Sequence, residues 1–382
     1  MRPLLALLAW MMTLTTSALI ARAEPDAAPA TLRSAAPADL RIGTAVSSRQ
    51  LEDEAEAALI ASQFNCLTAE NEMKPERLQP RPGEFTFDAA DRIVNFAREH
   101  DQTMIGHTLL WHQQSPRFLF EDEAGQPLSR EAALANLEEH ITAVVTHFEG
   151  RVHGWDVVNE AIADGGEYLR DTPARRAIGD DYIVHAFRFA RAADPDVELY
   201  YNDYNIDRDY KRPKALRLLR ELEAAGVRVD AVGIQGHWQL ESPAMEEIRR
   251  GIGEFALAGY RVHLTELDVD VLPRRGSGAD LDAGGAQAAD PYVDGLPAEV
   301  QDRLATRYGE LFGLTSEFPD TIQRITLWGT TDGRSWLNNF PVRGRTNHPL
   351  LFDRDGKPKP AHAAAVEAIR SAAAAQTQPS EE

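Results

Sequence analysis

One cysteine, Cys66, in 382 residues takes disulfides out of the argument, so a large apolar core has to carry stability. Positive charge is also scarce: 40 Lys and Arg against 60 Asp and Glu leave a formal net charge of -20. Such a surface repels phosphate backbones and anionic lipid, so neither nucleic acid nor a membrane surface is expected as partner. A neutral polymer stays open. Long apolar runs are missing after the first twenty residues, which leaves no candidate membrane span in the rest of the chain. Three catalytic signatures are absent too. No Gly-rich turn follows a strand, no G-x-S-x-G elbow is present, and neither His107/His112 nor His140/His147 has the HExxH spacing of a zinc site. No metal and no cofactor are therefore expected.

The one early apolar run has the form of an export signal. Arg2 precedes Leu4 to Ile20, and Ala21-Arg22-Ala23 supplies the small-x-small cleavage pattern, so residues 1–23 read as a signal peptide. The mature protein is then exported, to the periplasm or beyond the cell, with no membrane attachment after cleavage. Residues 24–38 are Ala/Pro-rich and read as a flexible leader, and residues 372–382 as a disordered tail. Between them, residues 39–371 form one catalytic domain, expected to act as a monomer.

Within that domain short apolar runs alternate with longer amphipathic ones. Strands are predicted at Arg41–Val46, Phe64–Ala69, Thr103–Thr108, Val152–Asn159, Glu198–Asn202, Ala231–Gln235, Val262–Leu267 and Arg324–Gly329. Helical spacing falls between them, at Asp88–Glu99, Glu131–Phe148, Tyr182–Ala193, Arg212–Ala225, Met245–Ala258 and Ala298–Phe312. Eight strands alternating with helices predict an α/β fold of the closed (β/α)8 TIM-barrel type. Residues 272–296, rich in Gly, Ala and Asp, interrupt the rhythm. Asp280, Asp282, Asp290 and Asp294 there match no calcium-loop spacing, so a solvated loop is expected.

Such barrels place their chemistry at the C-terminal strand ends. The reactive side chains predicted there are Glu70, Asn71 and Lys74 after strand two, His107, Trp111 and Gln114 after strand three, and Asn159 and Glu160 after strand four. Tyr204 and Asn205 follow strand five, Gln235 and His237 strand six, Glu266 and Asp268 strand seven, Trp328 and Trp336 strand eight. Two carboxylates among amides, imidazoles and indoles suit sugar cleavage. Asn159 and Glu160 can face one substrate only where the strand's alternation breaks. Glu266 shares the parity of Val262 and Leu264, which makes it a carboxylate ending an apolar column. Strands four and seven face each other across the ring, a geometry that fits the short carboxyl separation of a retaining glycosidase, about 5–5.5 Å. Trp111 reads equally well as core.

Seven segments, TAENEMKPE, GHTLLWHQQSP, WDVVNEA, YYNDYN, GIQGHW, LTELDV and LWGTTDGRSWL, resemble the catalytic domain of glycoside hydrolase family 10 from about Leu40 to Arg370. The resemblance implies endo-1,4-β-xylanase activity on xylan and xylo-oligosaccharides. By the same resemblance Glu160 is the acid/base, Glu266 the nucleophile, Asn159 a ligand of the sugar 2-hydroxyl, and His237 with Asp268 the group that orients Glu266. It further places Lys74, His107, Gln235 and Trp328 around the sugar under attack. Glu70, Asn71, Gln114 and Trp336 fall in the next subsite, Trp111 in the same wall, and Tyr204 with Asn205 on the leaving-group side. Pro75 departs from the Trp that many members carry after the Met-Lys pair, which affects local wall shape only. A glucanase on the same barrel is the enzymatic alternative, and a sugar-binding protein without catalysis the non-enzymatic one.

Overall fold

Strands buried on both faces are apolar along their whole length rather than alternately, and that is how these strands are buried. The computed structural model describes residues 30–273 and 290–377. The expected signal peptide and most of the 272–296 loop, with Asp280 and Asp282, lie outside the described residues. The strands are β1 (Arg41–Val46), β2 (Cys66–Ala69), β3 (Thr103–Trp111), β4 (Gly154–Asn159), β5 (Glu198–Asp203), β6 (Ala231–Ile234), β7 (Arg261–Asp270) and β8 (Ile322–Leu327). All pair in parallel with their sequence neighbours. β8 returns to β1, with Ile325 opposite Ile42, and so closes the barrel. A short extension of β6, His237–Gln239, continues alongside the far end of β7.

The helices follow the strands one for one: α1 (Glu54–Gln63), α2 (Asp88–Glu99), α3 (Arg130–His147), α4 (Tyr182–Ala193), α5 (Arg212–Ala224), α6 (Met245–Leu257), α7 (Ala298–Glu317) and α8 (Pro360–Thr377). Local signals explain where they start. The Asp53 carboxylate accepts from Ala55 N and Glu56 N at the head of α1, and the Ser129 hydroxyl accepts from Ala132 N at the head of α3. Their inner faces keep the 3.6-residue period: α2 buries Ala90, Ile93, Val94 and Ala97, and α5 buries Ala215, Leu218, Leu219 and Leu222. Inside the ring, the lower layer is aromatic and basic. The Arg324 guanidinium lies 5.4 Å from the centre of the Tyr200 ring, which packs edge-on against His263. Gly154 leaves the room this needs, because a Cβ there would fall 2.1 Å from the Tyr200 hydroxyl.

Several boundaries differ from expectation, and four of the differences bear on the site or on the ends of the domain. β3 runs on to Trp111 and β7 to Asp270, three residues past each predicted end, and both carry functional side chains on the added turn of strand. The expected leader is ordered from Thr31: Leu32–Ala35 form a short helix with a Thr31/Ser34 capping box, and Leu32 is fully buried. Arg33 ties it to the barrel by donating to the carbonyls of Ala61 and His100. The expected tail is helical as far as Thr377, with Ala372 buried. Apolar side chains spaced for burial overrode Ala/Pro composition in both places.

Candidate active site

The end of β4 is where the backbone leaves its pleat. Glu160 follows Asn159, the last residue of β4, at φ +59°, in the left-handed region that non-glycine residues avoid. That turn lets consecutive side chains share one direction, as the sequence required. Gln114 (φ +47°) and Asn205 (φ +57°) adopt the same conformation at other strand-end loops. Among the described residues only Asp101 joins these three, so most of this strain sits near the site.

Glu160 is 8% exposed and fully engaged. Trp111 Nε1 donates to its Oε2 at 2.9 Å, and Gln235 Nε2 and Asn159 Nδ2 donate to its Oε1 at 2.9 and 3.3 Å. Burial pushes its carboxyl up to about 7, the nearby Asp203 charge adds to the rise, and the Gln235 and Trp111 donors only partly oppose it. Trp111, which reads equally well as core, is a direct partner of this carboxylate.

Glu266 is 5% exposed and behaves in the opposite way. Asn202 Nδ2 donates to its Oε1 at 2.8 Å, and His237 Nε2 donates to Oε2 at 3.1 Å. Burial pushes this carboxyl up, but the His237 hydrogen bond, the His107 and His237 charges and the Asn202 donor outweigh it, so the net displacement is downward. His237 bridges two carboxylates, with Asp268 Oδ2 3.0 Å from its Nδ1. Burial alone lowers the ring, yet the two acids hold it up at about 10, so it stays imidazolium. Two buried carboxyl groups are thus driven apart in acidity, one toward a proton donor and the other toward a permanent anion.

Glu266 does not owe its direction to the parity of Val262 and Leu264. The register of β7 against β8 breaks between Leu264 and Leu267. Thr265 Oγ1 donates to Asn202 Oδ1 at 2.6 Å while Glu266, the next residue, accepts from the same amide. The bulge, not the column of Val262 and Leu264, turns Glu266 into the barrel mouth.

A single groove is lined by Glu70, Asn71, Lys74, His107, Trp111, Gln114, Asn159, Glu160, Gln235, His237, Glu266, Trp328 and Trp336. Thirteen of the sixteen candidates thus meet in one place. Lys74 Nζ donates to Asn71 Oδ1 and Gln114 Oε1 at 3.0 and 2.9 Å and lies 5.0 Å from the Trp111 ring centre. His107 is oriented by Asp156 Oδ2 at 2.9 Å and meets the Trp328 ring edge-on. Asp268 stands one layer behind, where it also accepts from Trp336 Nε1 at 2.8 Å. Trp336 stacks on Phe340 with planes 14° apart.

Tyr204 and Asn205 are not among the groove's lining. Tyr204 is 3% exposed, its hydroxyl is held by Asp164 and Arg170, and Lys211 Nζ sits 3.7 Å from its ring centre. It is a packed member of a charged network beside Glu160, with no free face for a sugar. Sequence reasoning missed Asn202, which is fully buried and links Asn159 Oδ1 (2.9 Å) to Glu266. The signal was present: Asn202 occupies the C-terminal part of β5 inside YYNDYN. The paired histidines are structural, His140 bonding Gln79 and His147 bonding Asp91. Among the described residues no group of three or more His, Cys, Asp or Glu side chains is placed to hold a metal.

Comparison with known proteins agrees with this geometry. The family model for Glycosyl hydrolase family 10 matches residues 31–368. The chain is 43% identical over 325 residues to Endo-1,4-beta-xylanase A of Xylanibacter ruminicola, covering 84% of this chain and 88% of that protein. It is 42% identical over 324 residues to the Endo-1,4-beta-xylanase of Geobacillus stearothermophilus, covering 85% and 94%. Among solved structures, a GH10 endoxylanase retrieved from sugarcane soil metagenome superposes with a TM-score of 0.83 at 39% identity, over 89% of this chain and 99% of that one.

Proposed function

The chain belongs to glycosyl hydrolase family 10, and from that membership we infer that it is an endo-1,4-β-xylanase that hydrolyses internal β-1,4-xylosidic bonds with retention of anomeric configuration. The observation that carries the assignment of roles is the opposed acidity of Glu160 and Glu266 within one groove. Glu266, ionised and aimed by His237 and Asn202, attacks the anomeric carbon. Glu160, which burial keeps protonated up to about pH 7, gives its proton to the departing oxygen. Water then cleaves the glycosyl-enzyme while Glu160 takes the proton back. Asn159, whose Oδ1 accepts from Asn202 and whose Nδ2 reaches Glu160, is placed to meet the 2-hydroxyl between the two acids. Lys74, His107, Gln235 and Trp328 wall the sugar under attack, with Glu70, Asn71, Gln114 and Trp336 beyond them. No helix among the described residues is long and apolar enough to cross a membrane. Export is supported by the Arg2-to-Ala23 segment, and action as a monomer by one barrel holding every site residue.

A proton NMR time course on xylohexaose tests the reading. The first-formed reducing ends should be β-xylose anomers of internal cleavage products. An initial α-anomer, or faster turnover of carboxymethyl-cellulose than of xylan, would refute it.

A further inference from the structure

The turn that presents Glu160 is held almost entirely from the neighbouring strand. Glu160 N donates to Asn202 O at 2.9 Å, Ala161 N to the Tyr201 hydroxyl at 3.2 Å, and Ile162 N to Asp203 Oδ2 at 3.4 Å. Three successive backbone donors thus end on three successive residues of β5. The Tyr201 hydroxyl passes its own proton to Asp203 Oδ2 at 2.6 Å, so two of the three anchors converge on one carboxylate. The other oxygen, Oδ1, accepts from Lys211 Nζ at 2.8 Å and from Tyr204 N at 2.9 Å. The Asp203 main-chain carbonyl accepts from Gln235 N at 3.1 Å, and Gln235 is the residue whose amide holds Glu160 Oε1.

Every group on the Asp203 carboxylate is a donor. Burial pushes this carboxyl up, and Lys211 and the Tyr201 hydroxyl oppose the rise. Two donors on each oxygen leave no acceptor site for a proton without displacing one of them, so the geometry holds the group ionised, with the fully buried Lys211 as its cation. Lys211 also reaches Asp164 at 3.0 Å, and Arg170 closes the network by donating to Glu160 O at 3.2 Å and to Asp164 at 3.0 Å.

We propose that Asp203 is the positioning residue of the acid/base: clamped by Lys211, it locks the left-handed turn at Glu160 through Tyr201 and Ile162. This rests on Glu160 being the acid/base. The placement has an electrostatic consequence as well. Asp203 is a buried negative charge beside a buried carboxyl, and like charges at short range favour the protonated form of the one less well compensated. Glu160 has no cation bonded to it, whereas Asp203 has Lys211. The other charged or titratable groups around Glu160 are Lys74 and Glu70 after β2, His107, His112 and Arg117 on β3 and its loop, Asp164 and Arg170 after β4, Tyr182 on α4, Tyr201 on β5, His237 after β6 and Glu266 on β7. Of the anions, Asp203 follows burial directly among the influences that raise Glu160.

Two substitutions in the full chain separate aim from charge. Asp203→Asn keeps the size and removes the charge. Tyr201→Phe keeps the charge and removes the bridge. For each, kcat/KM is measured against pH on xylotetraose, whose cleavage needs the acid, and on 2,4-dinitrophenyl xylobioside, whose leaving group does not. For Asp203→Asn the alkaline limb on xylotetraose should move down by on the order of one pH unit. For Tyr201→Phe it should stay, with kcat/KM on xylotetraose lower by about tenfold, the worth of roughly one buried hydrogen bond. Both variants should lose less than about threefold on the aryl substrate. An unmoved limb in folded Asp203→Asn, or equal losses on the two substrates, overturns the proposal. If Asp203→Asn does not fold, the substrate split in Tyr201→Phe decides alone. Glu160→Ala with added azide runs alongside: rescue with an unmoved Asp203→Asn limb defeats this proposal only, whereas no rescue defeats the assignment of Glu160 and this proposal with it.

Discussion

Thr265 and Glu266 are adjacent in β7, yet both bond the same side chain across the barrel, the amide of Asn202. Thr265 Oγ1 donates to Asn202 Oδ1 at 2.6 Å, and Asn202 Nδ2 donates to Glu266 Oε1 at 2.8 Å. Neighbours in a regular strand point to opposite faces; the register break between Leu264 and Leu267 is what makes the shared partner possible. Asn202 is fixed in turn by its second contact, Asn159 Oδ1 at 2.9 Å. One buried amide therefore reads the position of both catalytic strands.

Asn202→Ala should accordingly cost kcat/KM on xylo-oligosaccharides about ten- to a hundredfold, the range for a hydrogen bond to a charged group. Its acid limb should also rise, because Glu266 loses a donor that favours its ionised form. A loss with an unchanged acid limb would mean that the amide serves packing alone.

The pH profile of kcat/KM on xylo-oligosaccharides should be bell-shaped. In the proposed mechanism the productive form has Glu160 protonated and Glu266 ionised. Activity should fall above about 7, where Glu160 gives up its proton, and should persist on the acid side below the ordinary glutamate value of 4.5, because Glu266 is held down. On an activated aryl xylobioside, whose leaving group needs no acid, the parent should lack this alkaline limb. Its survival there would assign the limb to another group.

Glu160 should also weaken the fold at alkaline pH. Its folded pKa, about 7, lies above the ordinary glutamate value of 4.5. A raised carboxyl contributes fully below the unfolded value, and that contribution is lost as pH rises through the folded one. The stability of Glu160→Gln relative to the parent should therefore increase between pH 4 and pH 8, by roughly 3 kcal/mol at most. Thermal or urea unfolding of both proteins across that range measures it, and a pH-independent difference would contradict the raised value.

These contrasts also explain what could be read from residues alone. The eight strands, the barrel and the list of groove residues follow from period and position, because they depend on which side chains are apolar and where runs stop. The break at Glu160 was readable because two adjacent polar residues at a strand end demand it. The break at Glu266 was not: Val262 and Leu264 continue the parity, and nothing local marks a bulge. Tyr204 came to the leaving-group side through the resemblance alone; that Asp164, Arg170 and Lys211 occupy its hydroxyl and its ring was not legible, because they come from elsewhere in the chain. Asn202 was passed over because its importance lies in three partners on β4 and β7.

His237 stands between two acids that can only accept, Glu266 at 3.1 Å from Nε2 and Asp268 at 3.0 Å from Nδ1. Satisfying both requires a proton on each nitrogen, so the ring is a cation by hydrogen-bond count as well as by charge. Asp268→Asn removes one of the two acids that hold the ring up. His237 then deprotonates at lower pH, so Glu266 loses its cationic donor on the alkaline side, and the alkaline limb of kcat/KM should move downward with a drop of about tenfold or more in kcat. Asp268 also accepts from Trp336 Nε1 at 2.8 Å, so the same variant should loosen that indole and raise KM for longer xylo-oligosaccharides. Trp336→Phe separates the two effects: it keeps a ring beside Phe340 but cannot bond Asp268, so KM should rise while the alkaline limb stays in place. If Trp336→Phe moves the alkaline limb as far as Asp268→Asn does, the charge on His237 is set by the indole contact, and the two-acid account of the ring is wrong.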